Sequence, residues 1–248
     1  MSVKSAERVL QIFELLSNNP HGLTIKEISE NLSFPQSSTS NLVATLSASG
    51  YLSLDPMKKY KLGAKLIHIG TLALENLDIS LVAKPYLEKL MESVQETVFM
   101  AALSEDELVY LLKIDSKRSI RTTAQTGFRK PLYCTGLGKT FLANLPAQER
   151  SRILDEIDLV PITAKTITDR EELEKELYQY ALIGYTIDDE ENEDGLYCVA
   201  APVFAADRKI HAAISVAGPK ERMLAQQAEI VQKVLWTSKK ISESLGFM

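Results

Sequence analysis

Between Gly22 and Gly63 runs GLTIKEISENLSFPQSSTSNLVATLSASGYLSLDPMKKYKLG, whose periodicity reads as helix, turn, helix and short hairpin. Leu23, Ile25, Ile28 and Leu32 mark the first helix. Thr24 caps its start, and Glu27 stands three residues on, the spacing of a capping box. Pro35 suits a first helical turn, Leu42, Val43 and Leu46 give the second helix an apolar stripe, and Gly50 ends it. Two alternating runs, 51–54 and 60–62, flank Asp55-Pro56-Met57-Lys58-Lys59 and read as a hairpin wing with a basic tip. With the stripe turned inward, Gln36, Ser37, Ser40, Asn41 and Thr45 face out. That surface is small and polar, suited to base edges in a DNA groove, where Asn and Gln bind adenine through two hydrogen bonds. A solvated face of a three-helix unit would look the same.

Upstream, Val9, Ile12, Phe13 and Leu16 predict a helix ending near Asn18-Asn19-Pro20, which completes a small core under the wing. Downstream, Leu66, Ile67, Ile69, Gly70 and Leu74 form an apolar helical connector ending around Asn76. So much apolar surface needs a partner, either its own domain or the same helix of another subunit. A helix over 82–94 follows, with Pro85 within it or at a break. Then the character changes. Strands are expected at 98–103 and 109–114 around a hairpin turn, at 120–124 and 131–134, and at 199–204 and 210–217 around Asp207-Arg208-Lys209. Helices are expected at 138–145, 147–157 and 170–182, and a last one uses Leu224, Ala228, Val231 and Leu235 as its inward stripe. Hairpin strands with helices gathered elsewhere make an α+β domain on an antiparallel sheet.

Motifs that could carry chemistry are few. Gly136-Leu137-Gly138-Lys139-Thr140 is not a Walker A loop, because position 133 is Tyr. It reads as a helix start whose free N–H groups could meet a small anion, or as a plain tight turn. Asp188-Asp189-Glu190-Glu191 followed by Glu193-Asp194 is a dense acidic run, which most often means a solvated loop. A nucleophilic Cys198 needs a His, and the chain has only His21, His68 and His211. Cys134 and Cys198 show no spacing for zinc or a disulfide framework, so neither metal nor cofactor is expected.

The order and spacing of these segments resemble the IclR family of transcriptional regulators over essentially the full length. The front, from Ser5-Ala6-Glu7-Arg8-Val9-Leu10 to Tyr60-Lys61-Leu62-Gly63, is similar to the family's winged helix. The back carries Ile183-Gly184-Tyr185, the acidic run, Gly195-Leu196-Tyr197-Cys198, Ala200-Ala201-Pro202-Val203-Phe204, Ala212-Ala213-Ile214-Ser215-Val216 and Gly218-Pro219, similar to its effector-domain signature. The resemblance implies a winged helix-turn-helix over 1–62, a linker helix over 63–79, and a GAF-like or profilin-like effector domain over 80–248. It also favours pairing of the connector between subunits, as a homodimer or homotetramer on an inverted-repeat operator in double-stranded DNA. By the same match Gly136, Leu137, Asp188, Leu196, Cys198 and Ser215 are expected to line a pocket for a small effector, a carboxylate or sugar acid. At Ala217 relatives can offer a second hydroxyl that is missing here.

One departure bears on mechanism. Relatives often carry Lys or Arg in the recognition helix, whereas here no Lys, Arg or His lies between Lys26 and Lys58. Phosphate contacts then fall to Lys4, Arg8, Lys26, Lys58, Lys59 and Lys61 and to helix-start amides, and the salt dependence should be shallow. The first seventy residues hold seven Lys and Arg against five Asp and Glu. Subtracted from the totals of 28 and 33, this leaves 21 against 28 behind, so a weakly basic front joins an acidic back. No secretory leader or membrane-length apolar run is evident, so a cytoplasmic protein is expected, without membrane partners. Two other readings remain at this stage: an enzyme with a regulatory front domain, and an interaction module using the winged helix for protein contacts.

Overall fold

The computed structural model describes residues 3–75 and 78–247, and of 71–75 the backbone alone. Asn76, the expected end of the connector, and the side chain of Leu74 lie outside the described residues. The chain divides into two compact units, Met1–Leu77 and Asp78–Met248.

In the first unit, α1 (Lys4–Ser17), α2 (Ile25–Leu32) and α3 (Gln36–Ala48) pack Ile12, Leu16, Ile28, Val43, Leu46 and Leu52 into one core. Antiparallel strands β1 (Leu52–Leu54) and β2 (Tyr60–Leu62) pair Leu52 with Leu62 and Leu54 with Tyr60. Local chemistry sets the helix ends. Thr24 Oγ1 accepts from Glu27 N at 3.3 Å while Glu27 Oε2 accepts from Thr24 N at 2.7 Å, a complete capping box. Thr24→Ala is expected to cost about 1 kcal/mol, read as a lower denaturation midpoint of this unit; an unmoved midpoint would show the cap adds nothing. At the end of α3, Gly50 adopts φ +78°, so that its amide reaches Ser47 O at 3.0 Å and the Tyr51 amide reaches Leu46 O at 2.9 Å. Only glycine takes that conformation without strain. The connector α4 (Ala64–Glu75) follows, with Ile67 and Ile69 exposed.

The second unit opens with α5 (Ile79–Val94), capped by Asp78 Oδ1, which accepts from Ser80 N at 2.9 Å; Pro85 lies inside the helix. Its sheet contains β3 (Thr97–Ser104), β4 (Glu107–Ile114), β5 (Arg129–Lys130), β6 (Thr186–Asp189), β7 (Leu196–Phe204) and β8 (Ile210–Pro219). They pair antiparallel in the order β5-β4-β3-β8-β7-β6. Alternation splits the strands between two cores. Phe99, Ala101, Cys198, Ala200, Ala213 and Ala217 face α6 (Gly136–Asn144), α7 (Ala147–Glu156) and α8 (Arg170–Ile183). The opposite face packs on α5 and on α10 (Gln227–Ser244), which follows the short α9 (Lys220–Ala225).

Three sequence expectations are corrected. Residues 120–124 form no strand, and neither do residues 131–134; strand β5 is confined to the pair between them. The last helix starts later than expected and is turned from its expected phase: Leu224 falls on α9, Ala228 is exposed, Val231 and Leu235 are half-buried, and Ile230, Val234, Thr237, Ser238, Ile241 and Ser242 are buried. Hydroxyls decide this rotation. Ser238 Oγ donates to Pro202 O, and Ser242 Oγ accepts from Phe204 N at 3.0 Å, so the small polar face lies on the sheet. Among the described residues no helix is long and apolar enough to cross a membrane.

Candidate functional site

On α3 the buried stripe is Thr39, Val43 and Leu46, which leaves Gln36, Ser37, Asn41 and Thr45 exposed and Ser40 half-buried. Thr39 was not foreseen on the inward face; its hydroxyl is satisfied by Pro35 O at 3.2 Å. The helix start carries no side-chain cap. Arg8 reaches this helix from α1: its guanidinium stacks 5.0 Å from the Phe34 ring centroid and donates to Ser38 Oγ at 3.0 Å. In the wing, Asp55 Oδ1 accepts from Met57 N and Lys59 N, each at 2.9 Å, shaping the tip that carries Lys58 and Lys59. Lys4 and Lys26 are exposed, the latter 3.9 Å from Glu30.

In the second unit, Gly136, Leu137, Asp188, Leu196, Cys198 and Ser215 come together around one cavity. It lies between the start of α6 and the sheet, and Ala217 also lines it. Sequence reading missed its aromatic wall, Phe99 stacked on Tyr110 with centroids 5.0 Å apart, and its rim residues Thr122, Thr123 and Lys130. Nothing local marks these, because they arrive through pairing of β3 with β4 and through the segment that follows.

The floor is built by close approach. A Cβ on Gly136 would lie 2.9 Å from Cys198 Sγ, and one on Gly138 only 2.3 Å from Leu132 O. Thr135 Oγ1 donates to Pro131 O at 2.8 Å and accepts from Gly138 N at 3.1 Å, leaving the amides of Gly136 and Leu137 outside the cap. Among the described residues, Ser215 Oγ is buried without a hydrogen-bonded N or O partner and adjoins the Cys198 thiol. Burial, with the charge of Asp188, pushes that thiol up to about 12, so it is no ready nucleophile. His211, the only His of this unit, instead meets Asp207 at 3.0 Å on the surface.

Behind the floor lies a charged cluster. Lys139 is fully buried; its Nζ contacts Glu191 and lies 3.1 Å from Glu176 Oε2 and 5.1 Å from the Tyr180 ring centroid. Burial raises Glu191 to about 7 and Asp188 to about 6, against the pull of Lys139. Both folded values exceed ordinary carboxylate values, so the stability these groups contribute is complete in acid and lost as pH rises through about 6 and about 7. The unit's melting temperature is expected to fall between about pH 5 and about pH 8, and Glu191→Gln to flatten that fall. An identical slope in the variant would refute this origin.

The family model "IclR helix-turn-helix domain" matches residues 5–56, and "Bacterial transcriptional regulator IclR C-terminal" matches 71–243. The chain is 33% identical over 247 residues to the HTH-type transcriptional regulator KdgR of Escherichia coli, covering 98% of this chain and 94% of that protein. It is 30% identical over 245 residues to KipR of Bacillus subtilis, covering 98% of each. The crystal structure of Thermotoga maritima IclR superposes with a TM-score of 0.66 at 29% identity, over 98% of this chain and 99% of that one. Its regulator relatives exclude the enzyme reading. With both halves matched in order, this chain belongs to the IclR family of bacterial, DNA-binding transcriptional regulators.

Proposed function

We propose that this regulator binds an inverted-repeat operator in the cytoplasm as a homodimer or homotetramer, and that a small carboxylate or sugar acid in the cavity alters that binding. Ser215 carries the effector half. Its buried hydroxyl, without an N or O partner among the described residues, lines the same cavity as the first amides of α6, and a carboxylate there would satisfy both. For the operator half, α3 turns Gln36, Ser37, Asn41 and Thr45 to solvent, with Ser40 at the edge of that face. Its uncapped first amides suit a phosphate, alongside Lys4, Lys26, Lys58 and Lys59. Arg8, half-buried and engaged by Phe34 and Ser38, meets phosphate from that tether. Exposed Leu10 and Ile69 supply apolar surface for a second copy. Two winged helices dock together only at the half-site spacing, so an effector acts by favouring one spacing over another.

Footprinting of the purified chain on genomic fragments, followed by mobility shifts over a salt series, tests the operator half. One inverted-repeat motif is expected, with a shallow salt slope. Lys58→Glu with Lys59→Glu should weaken binding at least about tenfold and lower the slope by about 2, with oligomerisation intact. Uniform, salt-erased binding without a motif would favour a protein-interaction role for the winged helix. Calorimetry with candidate acids tests the effector half, and unchanged affinity in Ser215→Ala would remove Ser215 from the site.

A further inference from the structure

We infer that the cavity takes its acidic ligand together with a proton held at Asp188, so that effector affinity follows pH as well as concentration. The inference rests on the effector reading above and specifies how that site recognises an anion. Asp188 is the register partner of Cys198, whose Sγ lies 2.9 Å from where a Gly136 Cβ would stand. An anion at the first amides of α6 therefore sits beside the Asp188 carboxyl, which is itself 2% exposed.

The groups around Asp188 come from every packed element: Lys139 from α6, Cys134 from the turn before it, Tyr110 from β4, Cys198 from β7, and Asp189 and Glu191 from its own strand and loop. Lys130 and Glu193 complete the charged lining of the cavity. Burial keeps the two thiols and the phenol neutral. The buried cation is Lys139, and Glu176 and Glu191 already engage it. A carboxylate ligand would add one more anion to this group. Two acids brought together out of water do not both stay ionised; one proton is shared between them.

Asp188 suits that role. Its Oδ1 accepts from Glu191 N at 2.9 Å and Asn192 N at 3.4 Å, which leaves the other oxygen to carry the proton. Protonated, the carboxyl changes from a repelling charge to an O–H donor towards the ligand. The proton comes from solvent, and no covalent bond is made or broken. An ionised Asp188 accepting from a ligand hydroxyl would instead bind with no proton uptake.

Calorimetry of the full chain with D-gluconate, D-glucuronate and D-galacturonate at millimolar concentration separates these cases. Each titration is run from about pH 5 to about pH 8 in two buffers of different ionisation heat. The expected result is uptake of about one proton per acid bound above about pH 7, with affinity falling about tenfold per pH unit above about 6. Asp188→Asn should abolish the uptake and reduce the pH effect to under about twofold. Binding without uptake in the wild-type chain overturns the proton-sharing role and leaves the effector reading standing. If none of the three acids binds at any pH, the effector reading falls and this inference falls with it.

Discussion

Gly138→Ala is expected to abolish folding of the C-terminal unit while the N-terminal unit keeps its own melting transition. The added Cβ would lie 2.3 Å from Leu132 O and 2.4 Å from Leu132 Cα, and both are backbone atoms. No rotamer relieves such an overlap, so α6 or the preceding turn must move. Movement dissolves the Thr135 cap and opens the layer where Phe141 and Leu142 are 1% and 0% exposed. Overpacking with a lost cap and an opened core passes about 4 kcal/mol, a large share of a domain's total stability. The first unit has a separate core built on Ile12, Ile28 and Val43 and is not touched. Calorimetric melting of wild type and variant checks this, with Gly136→Ala as the comparison. There the nearest atom is Cys198 Sγ at 2.9 Å, a side chain that can shift. A Gly138→Ala protein that melts like wild type would refute the steric account.

Lys139→Ala is expected to be nearly as costly, and more so at high pH. The lysine is buried between Glu191, Glu176 and Tyr180, so its removal strands a carboxylate in a site closed to water. Breaking one side of a buried ion pair costs about 3–5 kcal/mol, mostly as the penalty of the charge left behind. Glu191 already stands at about 7, and without its cation it rises further. Below its folded value it is neutral, and the variant regains stability there; above it the full loss shows. Denaturant unfolding at about pH 5 and about pH 8 should therefore give a distinctly smaller loss in acid. Lys139→Met combined with Glu191→Gln should recover most of it. Equal losses at both pH values would mean that packing, not charge, makes Lys139 necessary.

The winged helix was legible because its signals are local. A capping box, a proline at a helix start and a glycine after a helix end each lie within a few residues of what they determine. The sensor domain was legible in its strands of near-continuous apolar residues, and less so elsewhere. Strand β6 was missed because TIDD alternates at an acidic sheet edge and reads as part of a loop. The phase of α10 was misread because Thr237, Ser238 and Ser242 count as polar in a periodicity, yet all three are buried and the two serines meet backbone groups of β7. Lys139 entered only as one residue of the Gly136–Thr140 helix start, and only the arrival of Glu176 and Glu191 from 37 and 52 residues away gives it buried partners. The six cavity residues were reached through family resemblance; their neighbours Tyr110, Thr122 and Lys130 depend on long-range pairing that no local pattern encodes.

That pairing orders events on the ribosome. Strand β3 sits at the middle of the sheet, yet its partner on one side is β8, with Thr97 opposite Ala217. A chain emerging from its N-terminus can close the winged-helix core as soon as about a quarter of it has been made. The sensing half must wait with an open sheet edge until β8, the last strand, is synthesised. A nascent or truncated chain can thus hold a closed winged-helix core before the cavity of the second unit exists.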